Sequence, residues 1–78
     1  MQKNVKVYST PTCPYCLRAK QFLKDNNIEF QDYDVSTDDG KAQEMIDKSG
    51  QMGVPVIDID GEIIVGFDKE AISKNLNL

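Results

Sequence analysis

The stretch Val5-Lys6-Val7-Tyr8-Ser9-Thr10-Pro11-Thr12-Cys13-Pro14-Tyr15-Cys16 decides how the rest of the chain is read. Val5, Val7 and Tyr8 mark a short strand, which the polar, proline-containing Ser9-Thr10-Pro11-Thr12 brings to an end. From Pro14 to about Asn26, Cys16, Ala19, Phe22 and Leu23 recur at three- and four-residue spacing, which predicts a helix with one buried face. The motif Cys13-Pro14-Tyr15-Cys16 therefore falls where a strand hands over to a helix. With Pro14 as the first helical residue, Cys13 is the N-cap, where unpaired backbone N–H groups and the positive end of the helix dipole favour a thiolate. Cys16 opens the buried stripe, so the two thiols are placed for asymmetric roles.

These are the two cysteines of the chain. A dithiol spaced Cys-x-x-Cys can close into a small disulfide and reopen by thiol exchange, which suits a transferable two-electron store. Paired cysteines also supply half of many zinc sites, but the sequence has no histidine and no third cysteine to complete one, so no metal is expected. A purely structural disulfide is disfavoured, because closing so short a loop removes little chain entropy.

At 78 residues the chain is expected to be a single domain, residues 1–78, near the lower limit for a core without metal or several disulfides. Apolar residues make up 40% and charged residues 28%, the balance of a soluble globular protein. Nine basic against thirteen acidic residues give a net charge of -4 with no Lys/Arg cluster, which argues against nucleic acid and anionic membranes as partners. Met1-Gln2-Lys3-Asn4 runs straight into the first strand without a signal-peptide core, and no stretch is long enough to span a bilayer. The expected location is cytoplasmic, where a close-spaced cysteine pair points to catalysis or redox sensing.

Beyond the first helix, Ile28 to Val35 reads as a second strand, with Ile28, Phe30, Asp32 and Asp34 alternating with Glu29, Gln31, Tyr33 and Val35. Ser36 with Asp39 resembles a capping box, Ala42, Met45, Ile46 and Ser49 mark a second helix face, and Gly50 stops it. Pro55 to Ile59, Asp60-Gly61 and Glu62 to Val65 form a hairpin signature, since Asp-Gly suits a two-residue primed turn. Gly66 ends the second arm, Asp68 caps a last helix, and Ala71, Ile72 and Leu76 dock it. The order βαβαββα, with a right-handed crossover between the first two strands, predicts an α/β fold with a four-stranded mixed sheet flanked by three helices. The cysteines then lie at the C-terminal edge of the first strand, where open α/β sheets place their sites.

Cys13-Pro14-Tyr15-Cys16, the Val54-Pro55 pair before the hairpin and Gly66-Phe67-Asp68 at the start of the last helix together resemble the glutaredoxin family of the thioredoxin fold, over nearly the whole chain. The resemblance implies a thiol–disulfide oxidoreductase with Cys13 as nucleophile and Cys16 as resolving thiol. It also implies a cis peptide bond before Pro55, facing the thiols. It further implies that glutathione is a co-substrate with no bound cofactor. Its cysteinyl part would lie against Val54 and Pro55, its γ-glutamyl end at Gly66, Phe67 and Asp68, its flank against Tyr15 and its glycyl carboxylate near Gln51. Taken singly, Pro55 also suits the start of an edge strand, Asp68 a plain helix cap, Tyr15 an exposed motif aromatic and Gln51 a solvated loop residue. Partners implied are glutathione and disulfide-containing or glutathionylated proteins, with the chain acting as a monomer.

Two departures from the family pattern stand out. Many glutaredoxins carry lysine three residues before the first cysteine, where this chain has Thr10, and Arg18 and Lys20 further down the helix compensate only partly. A single glycine followed by Phe67 replaces the usual glycine pair, a feature similar to the hydrogen-donor redoxins of ribonucleotide reductase, which are reduced by thioredoxin reductase. An iron–sulfur cluster carrier is a further alternative within the family. Pro14 argues against it, because carriers usually place a small flexible residue after the first cysteine.

Overall fold

The computed structural model describes residues 4–78 of the chain. The expectation that Met1, Gln2 and Lys3 lead directly into the first strand lies outside the described residues. The elements are β1 (Val5–Ser9), α1 (Pro14–Asp25), β2 (Gln31–Asp34), α2 (Asp39–Ser49), β3 (Val56–Ile59), β4 (Glu62–Val65) and α3 (Lys69–Leu76). They form a four-stranded sheet in the order β2-β1-β3-β4. β1 runs parallel to β2 and antiparallel to β3, and β3 pairs antiparallel with β4. The mixed sheet and its three helices are the architecture expected from the order of elements.

Period-two alternation sends the side chains of the two central strands to opposite faces. On one face Val5, Val7, Ile57, Ile59 and Ile64 pack with Ala19 and Leu23 of α1 and Ile72 of α3. On the other, Tyr8 and Val56 pack with Met45 of α2. Thus α1 and α3 cover one side of the sheet and α2 the other. The apolar stripe of α1 begins with Cys16, which is wholly buried, so core packing of the helix fixes the depth of the second thiol.

The hairpin closes as its sequence requires. Asp60 and Gly61 both take positive φ, 51° and 95°, the primed-turn geometry that matches the twist of the strands. Asp58 Oδ1 accepts the Gly61 N–H at 2.8 Å, which braces the turn from inside the first arm.

Two boundaries differ from expectation. The second strand is shorter than Ile28 to Val35, because pairing with β1 runs only from Lys6 opposite Gln31 to Ser9 opposite Asp34. Ile28 instead donates its N–H to Leu23 O at 2.9 Å and closes the end of α1. Ile28 and Phe30 still pack against the main core. The N-cap of α2 is Asp38, not Ser36: Asp38 Oδ1 accepts the Lys41 N–H at 3.0 Å. Ser36 is unavailable because its hydroxyl and N–H both donate to Asp34 Oδ1, at 2.5 and 2.9 Å. Gly50 ends the helix as expected, left-handed at φ 74°.

Candidate functional site

Strand β1 ends against the sheet interior with buried Ser9, and the four residues that follow turn the chain into α1. Cys13 is the N-cap of that helix, with Pro14 at its first position. The Cys13 sulfur accepts the backbone N–H of Cys16 at 3.2 Å. A sulfur anion accepts such a bond more strongly than a thiol, so the first turn of the helix is shaped to receive charge at Cys13. Cys13 is partly exposed and Cys16 fully buried, and both are free thiols. Burial, and then the neighbouring Cys13 sulfur, push the Cys16 thiol up to about 11, while the Thr10 backbone N–H and the Lys20 ammonium pull the other way. One thiol meets solvent and the other is held back, an asymmetry suited to attack followed by resolution.

One segment reaches the pair directly, and the approach to α3 is tied to that segment. The Val54–Pro55 bond is cis, and the Val54 carbonyl lies 3.9 Å from Cys13 Sγ, within reach of a weak thiol donor bond. Pro55 is buried, and its carbonyl accepts the Gly66 N–H at 2.8 Å, which ties the approach to α3 to the same corner. Asp68 caps α3 through the Ala71 N–H at 3.1 Å. The ring of Phe67 turns inward against Phe22, with centroids 6.0 Å apart, and packs against the main core. Tyr15 is exposed, and the Arg18 guanidinium lies over its ring at 5.6 Å.

Gln51 is engaged within its own loop. Its amide donates to the Gly53 carbonyl at 3.0 Å and its Oε1 accepts the Gly53 N–H at 2.5 Å. This clamp shapes the segment that leads into Val54.

Two polar networks behind the corner were not evident in the sequence. On the α2 side, Lys48 Nζ donates to Asp58 Oδ2 at 2.7 Å and to the Tyr8 hydroxyl at 3.0 Å, and Tyr8 donates to Glu44. On the α1 side, Lys20 Nζ donates to Asp32 Oδ2 at 2.9 Å and the Ser9 hydroxyl donates to Asp32 Oδ1 at 2.9 Å. The available signal was Asp58 inside a β-branched run, a polar residue that must find a partner if that arm is central.

Comparison with known proteins bears on the family and the fold. The glutaredoxin family model matches residues 5–64. A glutaredoxin-like 8.6 kDa protein in the rubredoxin operon of Clostridium pasteurianum is 54% identical over 70 residues, covering 90% of this chain and 93% of that protein. Glutaredoxin 3 of Escherichia coli K12 is 43% identical over 65 residues, covering 83% of this chain and 78% of its own. The crystal structure of the thioredoxin-like protein BC3987 superposes with a TM-score of 0.89 at 33% identity, over 94% of this chain and all of that one. The chain therefore belongs to the glutaredoxin family, and its fold is the thioredoxin-like fold.

Proposed function

We propose that this chain is a dithiol oxidoreductase that reduces protein disulfides and glutathione mixed disulfides and is itself returned to the dithiol by glutathione. The observation that carries the reading is the asymmetric pair: Cys13 partly exposed at the N-terminus of α1 and accepting the Cys16 N–H, Cys16 buried one turn below. The Cys13 thiolate attacks one sulfur of the substrate disulfide and the other sulfur leaves as a thiolate. The resulting mixed disulfide is resolved by Cys16, which closes Cys13–Cys16, or by glutathione, which regenerates Cys13. Glutathione would lie along Val54 and Pro55, between Tyr15 and the segment Gly66, Phe67 and Asp68, with Gln51 beyond its glycyl end. No bound cofactor is needed for these steps. The partners are disulfide-containing and glutathionylated proteins met by a monomer in a reducing cytoplasm.

A second reading keeps the same thiol chemistry but takes electrons from a flavoprotein reductase. Thr10 leaves the usual lysine position uncharged, and the similar clostridial protein is encoded in a rubredoxin operon. Turnover of a protein disulfide with glutathione, glutathione reductase and NADPH, set against turnover with thioredoxin reductase and NADPH, separates the two. The glutathione system should sustain turnover, and activity with thioredoxin reductase alone would transfer the assignment to the second reading. Cys13→Ser should abolish both activities, while Cys16→Ser should lose protein-disulfide reduction and keep deglutathionylation. Residual exchange in Cys13→Ser would overturn the thiol assignment altogether.

A further inference from the structure

The resolving step sets a chemical problem at Cys16. Its thiol gives up a proton to solvent and its sulfur bonds to Cys13 Sγ. The bond from Cys13 to the substrate sulfur breaks, and the departing thiolate takes a proton from solvent. The chain is oxidised by two electrons and the substrate reduced by two. All of this needs a thiolate at a side chain that is 0% exposed, where charge is disfavoured.

Lys20 stands four residues after Cys16 on α1, one turn along the same face, a spacing that brings Cβ atoms to about 5–6 Å. A surface lysine ordinarily extends its ammonium to water. Lys20 does not: its side chain is only 16% exposed, and Nζ is held at 2.9 Å by Asp32 Oδ2. The other oxygen of Asp32 is held at 2.9 Å by the Ser9 hydroxyl, and Ser9 is itself 2% exposed at the end of β1. Three elements, α1, β1 and β2, thus cooperate to hold one cation on α1, one turn along from the buried thiol. The remaining charged neighbours are otherwise occupied. Arg18 lies over Tyr15, Lys69 over the ring of Phe22, and Asp34 with its Ser36 bonds lies on the Lys20 side; the loop 50–55 carries no charge.

We infer that Lys20, held by Asp32 and Ser9, is a positioning residue for the second half of the reaction, stabilising the Cys16 thiolate as it attacks the mixed disulfide on Cys13. The inference rests on the dithiol reading above. The upward push on the Cys16 thiol, opposed by Lys20, agrees with it.

Reduced chain mixed with the disulfide of 5-thio-2-nitrobenzoate separates the steps, because Cys13 attack releases one coloured thiolate and Cys16 resolution releases the second. A single charge at this range, in surroundings of intermediate polarity, contributes on the order of one pKa unit, or roughly tenfold. Lys20→Gln should therefore slow the second phase by roughly tenfold at neutral pH and move its pH midpoint upward by about one unit. The first phase should slow by far less than the second, and its persistence also reports that the variant is folded. Lys20→Arg should restore most of the second phase. A second phase with unaltered rate and midpoint in Lys20→Gln, or equal slowing of both phases, overturns the inference. A second phase that survives in Cys16→Ser overturns the dithiol reading instead.

Discussion

Replacing Asp58 with asparagine preserves shape and an acceptor for the Gly61 N–H, and removes both the negative charge and the acceptor oxygen that meet Lys48, since the amide NH2 then faces the ammonium. Asp58 is 6% exposed and lies 2.7 Å from Lys48 Nζ. Burial alone would push its carboxyl up, but the Lys48 ammonium and the Gly61 N–H hold it below its ordinary range. Lys48 is raised in turn, first by Asp58 and then by Tyr8. A charge-assisted hydrogen bond contributes about 1.5–3 kcal/mol, and stranding one partner of a fully buried pair costs about 3–5 kcal/mol. Because the Lys48 side chain is 29% exposed, water reaches the stranded ammonium and the smaller range applies. Asp58→Asn should therefore destabilise the fold by about 2 kcal/mol at neutral pH, a fall of roughly 8–16 °C in Tm for a domain of this size. Urea unfolding across pH measures it. The folded carboxyl titrates below its unfolded value of about 3.9, so its contribution is present above that pH and fades as pH falls through the folded value. Wild type and variant should converge in acid. At the alkaline end, the raised Lys48 contributes fully below its unfolded value of about 10.5 and loses that contribution as pH rises through the folded value. In a Lys48→Met background the same Asp58→Asn change should become neutral or stabilising, since it then removes an unpaired buried charge. A neutral-pH difference under about 0.5 kcal/mol, the scale of an ordinary surface substitution, or one that persists in acid, would refute the reasoning.

Leu23, wholly buried between α1 and the sheet, should cost roughly 3 kcal/mol when changed to Ala, a large share of a small domain's stability, as read by denaturant midpoint. Asp38→Ala should cost about 1 kcal/mol through loss of the Lys41 cap while Ser36→Ala costs less, and the opposite order would return the cap to Ser36. Asp68→Ala should cost a similar amount through its Ala71 bond, and should weaken glutathione use by roughly tenfold while exchange with a disulfide lacking an ammonium group is unchanged. Equal loss in both reactions would confine Asp68 to capping α3, and no loss in either would remove glutathione from that corner.

Features governed by near neighbours were legible from the sequence. Pro14 after Cys13 makes the N-cap, Asp60-Gly61 makes the turn and Gly50 stops α2, since each acts through backbone geometry within a few residues. The cap of α2 failed as a local reading because Ser36 and Asp38 both had suitable chemistry, and the claim of Asp34 on the Ser36 hydroxyl decided between them. The limits of β2 were likewise not its own to set, because strand ends lie where the partner β1 ends, and Ile28 was drawn off by Leu23.

By itself the sequence determined the order βαβαββα, the apolar faces that bury the core, and the placement of Cys13 and Cys16 at opposite depths of one helical turn. Only the tertiary structure decided which polar side chains stand behind that turn. Ser9 and Asp32 are 23 residues apart, Lys20 and Asp32 are 12 apart, and Tyr8 and Lys48 are 40 apart. No periodicity or local propensity links residues so separated. They meet because β1 takes the centre of the sheet, with Asp32 beside it and α1 and α2 on its two faces, and a polar group carried into that interior must find whichever partner the packing presents.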